Sequence, residues 1–362
     1  AEVSASTPGN IDSCQILDTP GTYILTAHIT NYVGTCFNIT ADNVVLNGNG
    51  NSISGNSDDF VGDYGIYASN VTGIIIKNFA NISGFGEVQC SGFCDGAGIY
   101  LESISNSKLS NIATNSNNHG IYLFASNDNE LTDITANSNS QNGIYLYSSS
   151  LNILSNVVAN ANNIDGIYLF TSNDNELTDI TANSNIFVGI VIRLALNNEL
   201  TDITANSNTY YGIYLYSSSN NQFIDSLIDG STSNDVILAM SSINNTFLNV
   251  SYDLSKESVA PGSQLIRKWY LDITVINKDK RPKYKGVLVK AYDIFDNLQF
   301  SALTDKKGKI PAQQVTEYVN NGGIRTSYNP YTLDIFKDKK EQKVIKSLQV
   351  NVTDNQERII VL

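Results

Sequence analysis

Methionine and tryptophan each occur once in 362 residues, histidine twice and proline six times, against 20 tyrosines. That balance describes a β-rich surface protein better than a helical enzyme. No apolar run reaches the roughly 18 residues that a membrane-spanning helix needs. Bases are scarce over most of the length: residues 1–251 hold 22 acids but only Lys77, Lys108 and Arg193, a net −19. Residues 252–362 hold 13 acids and 19 bases, a net +6, so the total of −13 hides two opposed halves. The long acidic part has almost no charge with which to neutralise phosphates, which excludes nucleic acid as its partner. Opposite signs also make one end attractive to the other.

At 41% hydrophobic the chain can bury a large core, and its length predicts two or more domains. It starts at Ala1 rather than Met, which predicts an exported, mature chain whose signal peptide has been removed. Four cysteines suit disulfides better than a metal, since no other Cys or His cluster joins them; Cys14–Cys36 and Cys90–Cys94 are the favoured pairs. Six sequons, at Asn38, Asn70, Asn81, Asn244, Asn249 and Asn351, are available to a glycosylating compartment.

What is abundant is periodic. Aligned on Gly-Ile-Tyr-Leu-Tyr, the first position falls at Gly98, Gly120, Gly143, Gly166, Gly189, Gly212 and Asp235, a step of 22 and then 23 each time. So constant a period predicts a solenoid. Ile144 and Leu146 alternate with Tyr145 and Tyr147, a strand pattern, and the unit is too short for a pair of helices. Parallel strands must therefore stack coil on coil, as a right-handed parallel β-helix of about 23 residues per coil. Leu131, Leu154, Leu177 and Leu200 form an inward column, and Ala136, Ala159, Ala182 and Ala205 suit a tight corner. Asn129, Asn152, Asn175, Asn198 and Asn221 make one polar column, and Asn137, Asn160, Asn183 and Asn206 another. Across a coil spacing of about 4.8 Å, such amides are expected to donate to the next carbonyl, a structural role.

Before Gly98 the grammar loosens. The step from Gly65 to Gly98 is ten residues too long, and an excursion carrying Cys90 and Cys94 accounts for it; residues 1–40 are expected to cap the open core. After Asn249 the repeat fades, Ala260-Pro261-Gly262 reads as a linker, and segments such as Trp269–Val275, Val287–Tyr292 and Tyr331–Ile335 alternate as half-buried strands of a β-sandwich. The expected division is a capped β-helix over 1–251 and a small sandwich over 252–362.

Three stretches carry a family resemblance. Pro20-Gly21-Thr22-Tyr23-Ile24-Leu25, Asn38 to Gly48, and the repeated Asn-Gly-Ile-Tyr-Leu resemble NosD-like parallel β-helix repeat proteins. Lys268 to Ile273 with Thr304-Asp305-Lys306-Lys307-Gly308 resembles the Ig-like or carboxypeptidase-regulatory-like modules that follow such repeats in archaeal cell-surface proteins. The resemblance implies a scaffold, with envelope structural proteins and polysaccharide-active enzymes among its relatives.

Catalytic constellations are thin. A β-helix enzyme of acidic polysaccharides needs carboxylates plus a base on neighbouring coils, and the three bases here are dispersed. Asp58-Asp59 and Asn118-His119-Gly120 faintly resemble polygalacturonase motifs, but the basic motif that should follow His119 is absent, so His119 reads as a turn residue. No phosphate loop, zinc site or nucleophile triad occurs, and no catalytic residue is assigned. Asp133, Asp179, Asp202 and Asp225 share a column; stacked like charges would be relieved by solvent or by a hard cation, which makes calcium the cofactor to consider.

The outward aromatic stripe is the main surface feature. Tyr122, Tyr145, Tyr168 and Tyr214 fall in one column, and Phe124, Tyr147, Phe170 and Tyr216 in the next, interrupted by Val191 and Arg193. Contiguous aromatic surface of this size points to a subunit interface, a sugar-stacking platform or a face covered by the chain itself, beside a plain ladder of stacked rings. With the acidic rod and the basic cluster of Lys278, Lys280, Arg281, Lys283 and Lys285, the expectation is a structural, non-enzymatic subunit of an extracellular or cell-surface filament, sheath or surface layer. It would associate head to tail. The alternative is a carbohydrate-binding or carbohydrate-cleaving surface protein, or an adhesin.

Overall fold

The computed structural model describes residues 7–56, 62–86, 96–277, 285–337 and 343–362. Asp58, Asp59, Cys90, Cys94, Lys278, Lys280, Arg281 and Lys283 lie outside the described residues. What is described is all-β apart from one short 3-10 turn at Leu254–Lys256.

The repeat folds as a parallel β-solenoid. Each coil gives one strand to an eleven-stranded parallel sheet, through segments such as Ile144–Tyr147 and Ile167–Phe170, and one to a second sheet, through Glu130–Thr135 and Ile153–Val158. Equivalent residues pair in register: Ile144 with Ile167, Tyr145 with Tyr168, Leu131 with Leu154. Ile144, Leu146, Leu131 and Ala136 are fully buried, so the inward columns sit where the alternation placed them. Near the N-terminus Ile29–Tyr32, Ser52–Gly55 and Asn81–Ser83 add a short third sheet. Cys14 and Cys36, 22 residues apart and thus one coil apart, form a disulfide.

Two asparagine ladders run through the buried corners. The backbone N–H of Asn129 donates to Asn152 Oδ1 at 3.0 Å, and that of Asn152 to Asn175 Oδ1 at 2.9 Å. A second ladder passes through Asn139, Asn162, Asn185 and Asn208, each again accepting the N–H of the Asn one coil before. The side-chain oxygen thus accepts from the previous coil's backbone, while Nδ2 of Asn152 donates to the Ser126 carbonyl. The expected amide donation exists in the Asn129–Asn221 column, with this added acceptor role, whereas in the Asn137–Asn206 column the recorded bonds are of Oδ1 accepting backbone N–H, as from Asn160 to Asn137 at 2.7 Å. Glycine is required beside it: a Cβ on Gly143 would lie 2.7 Å from both Asn162 Nδ2 and the Gly166 carbonyl oxygen.

The Asp column has a backbone cause. Asp133, Asn156, Asp179, Asp202, Asp225 and Asn249 all have φ between 51° and 56°, the left-handed conformation that Asn and Asp tolerate best among residues with a Cβ. Each is skipped in the strand register, as between Thr132 and Ile134.

The expected linker at Ala260-Pro261-Gly262 is instead a turn within the stack. Ala260 N–H donates to the Leu238 carbonyl, and the 13-residue strand Gln264–Ile276 that follows pairs in parallel with Asn245–Leu248 of the last coil. The same strand then pairs with Gln313–Asn321 and Gln356–Val361, carrying the solenoid sheet into the C-terminal unit. Its Trp269, Leu271, Ile273 and Val275 share a second core with Val289, Leu333 and Ile335 of a four-stranded antiparallel sheet. A continuous strand leaves no hinge between the two parts.

Candidate functional site

The aromatic columns stack as their spacing requires. Ring centroids are 4.7 Å apart for Tyr122 and Tyr145 and 5.0 Å for Tyr145 and Tyr168, with planes within 15° and 12°. In the second column Phe124 and Tyr147 are 5.2 Å apart, and Tyr147 and Phe170 4.9 Å. These rings are not the open aromatic surface that the sequence pattern implies. Tyr122 is buried, and Phe124, Tyr145, Tyr147, Tyr168, Phe170, Tyr214 and Tyr216 are half-buried, each shielded by its neighbours in the stack. Burial raises the pKa values of Tyr145 and Tyr168.

The stack fails at one coil. Val191 stands in register between Tyr168 and Tyr214, and Arg193 between Phe170 and Tyr216. The Arg193 guanidinium replaces the missing ring: it lies 4.9 Å from the Tyr216 centroid and 5.6 Å from that of Phe170. Val191 has nothing of comparable bulk. The shortfall opens a groove of about 500 Å³.

One wall comes from the column two residues before each repeat glycine. That column is polar at Asn118 and Gln141, then turns apolar at Ile164, Phe187 and Tyr210. Phe187 and Tyr210 stack at 5.1 Å, and both are exposed. From Tyr210 the rings continue through Tyr211, Tyr214 and Tyr216 at centroid spacings of 5.6 to 6.2 Å. The groove is therefore an arc of rings around a small apolar floor, closed on one side by a guanidinium.

Its one carboxyl is Asp165, which is 6% exposed. The residue belongs to a third acceptor ladder just before the glycines. Asn142 N–H donates to His119 Nδ1, Asp165 N–H to Asn142 Oδ1, and Val188 N–H to Asp165 Oδ1 at 3.1 Å. Desolvation pushes the Asp165 carboxyl up to about 7, the Val188 N–H opposing it, and pushes buried His119 down to about 4. His119 thus sits in the ladder as a neutral acceptor.

The remaining sequence candidates do not join this groove. Asp179, Asp202 and Asp225 line a shallow polar depression of about 800 Å³ on the other sheet, and Asp133 accepts from Asn156 Nδ2. Among the described residues no group of three or more His, Cys, Asp or Glu is placed to hold a metal. Of the sequons, Asn70, Asn244 and Asn351 are exposed, while Asn38, Asn81 and Asn249 are half-buried. Lys285 is exposed. Asp165, Phe187, Tyr210 and Tyr211 escape a reading centred on the Gly-Ile-Tyr columns, although the change from Gln141 to Ile164 to Phe187 is visible at the same 23-residue step.

A model of the family described as periplasmic copper-binding protein (NosD) matches residues 80–270, more than half of the chain and all of the regular coils. The chain belongs to the NosD family. No curated protein matches it. Among solved structures, this NosD-family chain is similar to the Dettilon tailspike protein, with a TM-score of 0.60 and 13% identity over 90% of this chain and 70% of that one. A double mutant of the periplasmic alginate epimerase AlgG gives a TM-score of 0.50 and 12% identity over 72% of each chain. The A-module of Azotobacter vinelandii mannuronan C-5 epimerase AlgE4 gives 0.48 and 14%, over 72% of this chain and 86% of that one. Likeness at these identities shows the fold alone.

Proposed function

We propose that this chain is a carbohydrate-binding β-solenoid of an exported protein, and that the groove beside Val191 and Arg193 takes a sugar ring. The single observation that carries the proposal is the interruption of an otherwise continuous ring stack, which leaves a concave, mostly apolar site with two convergent polar groups. Rings of Phe187, Tyr210 and Tyr214 offer flat faces for the C–H side of a sugar, and Arg193 and Asp165 offer hydrogen bonds to its polar edge. An alginate epimerase, by its name an enzyme of a polysaccharide, uses the same kind of scaffold. The groove binds rather than hydrolyses: it holds one carboxyl, Asp165, whereas glycoside hydrolysis generally uses a pair.

Export is supported by the Cys14–Cys36 disulfide and by the family's periplasmic description. No helix among the described residues is long and apolar enough to cross a membrane. The family's description also names copper, whose usual soft ligands are Cys, Met and His. Here Cys14 and Cys36 are bonded to each other, His28 Nδ1 accepts from Ser52 N–H, and His119 Nδ1 accepts from Asn142 N–H. Among the described residues these Cys and His donors do not fit a copper site, and copper has no part in the proposal.

Isothermal titration with a panel of oligosaccharides tests it. Tyr210→Ala and Tyr214→Ala are each expected to weaken the best ligand at least tenfold without lowering secondary structure. Absence of binding to every glycan, or affinity unchanged by both substitutions, overturns the proposal. Charge segregation supports a second reading, in which the acidic coils of one copy meet the basic C-terminal unit of the next. Sedimentation at low salt would then show polymers that dissociate as salt is raised, and a monomer at every salt concentration excludes it.

A further inference from the structure

We propose that the groove selects a sugar residue carrying a single acidic group, a carboxylate or a sulfate, which Arg193 holds while Asp165 takes a hydroxyl of the same residue. This rests on the carbohydrate-binding proposal above and adds the substrate class and the residue that determines it.

Placement of the one cation comes first. Residues 1–251 contain three bases, and one of them stands at the coil where the ring stack opens. Arg193 is exposed and forms no ion pair among the described residues, although Lys108, Arg267 and Arg325 each have a carboxylate partner. Its position is held from both sides by the Phe170 and Tyr216 rings. With its faces covered by rings, a guanidinium offers its N–H edge, whose fork matches carboxylate and sulfate oxygens in two parallel hydrogen bonds. An arginine fixed in place also loses little further freedom on binding.

Asp165 supplies the second contact. Its Oδ1 accepts the Val188 N–H, its Oδ2 has no hydrogen-bond partner among the described residues, and the side chain is more than nine-tenths buried at the groove wall. Oδ2 keeps some access to solvent and is therefore open to a ligand from the groove. A sugar hydroxyl, donor and acceptor at once, fits either protonation state. Burial favours the neutral form, which removes repulsion toward an acidic ligand nearby.

The surroundings limit the ligand to isolated charge. The 22 acids of residues 1–251 give the coils a net −19, so a chain charged at every sugar is repelled along its length while Arg193 answers one charge. The preferred partner is a mostly neutral glycan with an acidic residue at an end or a branch.

The test is titration of neutral gluco-, manno- and galacto-disaccharides, each beside its terminal uronate and its sulfated counterpart, and of a polyuronate, against wild type, Arg193→Gln, Arg193→Lys and Tyr214→Ala. An acidic disaccharide is expected to bind at least tenfold tighter than its neutral parent. Arg193→Gln should bring that ratio within twofold, Arg193→Lys should keep part of it, and Tyr214→Ala should weaken both ligands alike. Uronate and sulfate are told apart by which of the two retains the preference. Equal affinity for neutral and acidic sugars, a preference that survives Arg193→Gln, or tightest binding to polyuronate at low salt overturns the inference and leaves carbohydrate binding standing. If no sugar binds at all, both fall. Should Arg193→Gln not fold, the ratio in Arg193→Lys and in wild type decides.

Discussion

Val191 is the register partner of Tyr168, one coil away in the outward column, and the exchange of a phenol for an isopropyl group is what opens the groove. The backbone is undisturbed there: Ile190 and Ile192 stay fully buried in the inward column. Val191→Tyr should therefore restore an unbroken stack from Tyr168 to Tyr214. Calorimetric titration is expected to show at least tenfold weaker glycan binding, with an unchanged or higher Tm, because a stacked aromatic pair contributes about 0.5–1.5 kcal/mol beyond its burial. Full binding by Val191→Tyr would place the site elsewhere.

His119 and Asp165 stand two coils apart in one acceptor ladder and respond to pH in opposite senses. Asp165, raised to about 7, contributes stability that is complete below its unfolded pKa near 4 and lost as pH rises through about 7. His119, lowered to about 4, contributes stability present above about 6.5 and lost as pH falls through about 4. Over pH 4–7 the two slopes oppose each other, and wild-type stability should change little. Single substitutions unmask them. Asp165→Asn should give a Tm that rises with pH over that window, and His119→Asn one that falls, each worth about 2–4 kcal/mol. Asn is the residue the same ladder uses at Asn142, so hydrogen bonding survives in both variants. Parallel pH profiles for the two variants would show that the burial does not act on these groups.

The interior Asn ladders hold the coils to a common corner. Asn185 Oδ1 accepts the N–H of Asn162 at 2.9 Å, and its Nδ2 donates to the Ala159 carbonyl at 3.1 Å, all without access to water. Asn185→Leu removes the side-chain partner of a buried donor and a buried acceptor together, which should cost about 2–5 kcal/mol. Urea unfolding measures it. Asn183→Leu, on the half-buried column two residues away, is expected to cost less than half as much. Equal losses would mean that burial does not distinguish the columns.

That pair of columns also shows where sequence reasoning stops. The coil period, the inward Leu, Ile and Ala columns and the Cys14–Cys36 link all follow from spacing, because a register repeated at 22 or 23 residues places equivalents on top of one another. Spacing cannot rank two polar columns by burial: Asn137, Asn160 and Asn183 repeat as regularly as Asn139, Asn162 and Asn185, and only the fold puts the second set inside. The Asp column has a second cause that spacing does not show. Besides stacking charge, it holds the left-handed φ of Asp179 and Asp202, a backbone property that residue type alone does not reveal. The aromatic stripe was legible as a stack, but its groove depends on Phe187 and Tyr210, which come from a different column and face Val191 only once the chain is folded.

Glu257 joins the last strand of the eleven-stranded sheet to the C-terminal unit. Its side chain is fully buried; Oε2 accepts from the hydroxyls of Tyr252, at 2.5 Å, and Tyr318, and Oε1 accepts from Asn320 Nδ2 at 2.6 Å and Arg325 Nε at 2.9 Å. Glu257→Ala strands all four donors around one cavity, and breaking a buried pair from one side typically costs about 3–5 kcal/mol. Arg325→Gln leaves the fully buried Glu257 carboxylate without its cation but with its three other donors, and is expected to cost about 1–3 kcal/mol. The solenoid coils before residue 235 make their own ladder bonds, so the loss should be local. Hydrogen exchange in Glu257→Ala should quicken over Gln264–Ile276 and Gln313–Asn321 while Ile144–Tyr147 and Ile167–Phe170 keep their protection. Uniform loss of protection along the whole chain would instead mean that the coils and the C-terminal unit unfold as one cooperative body.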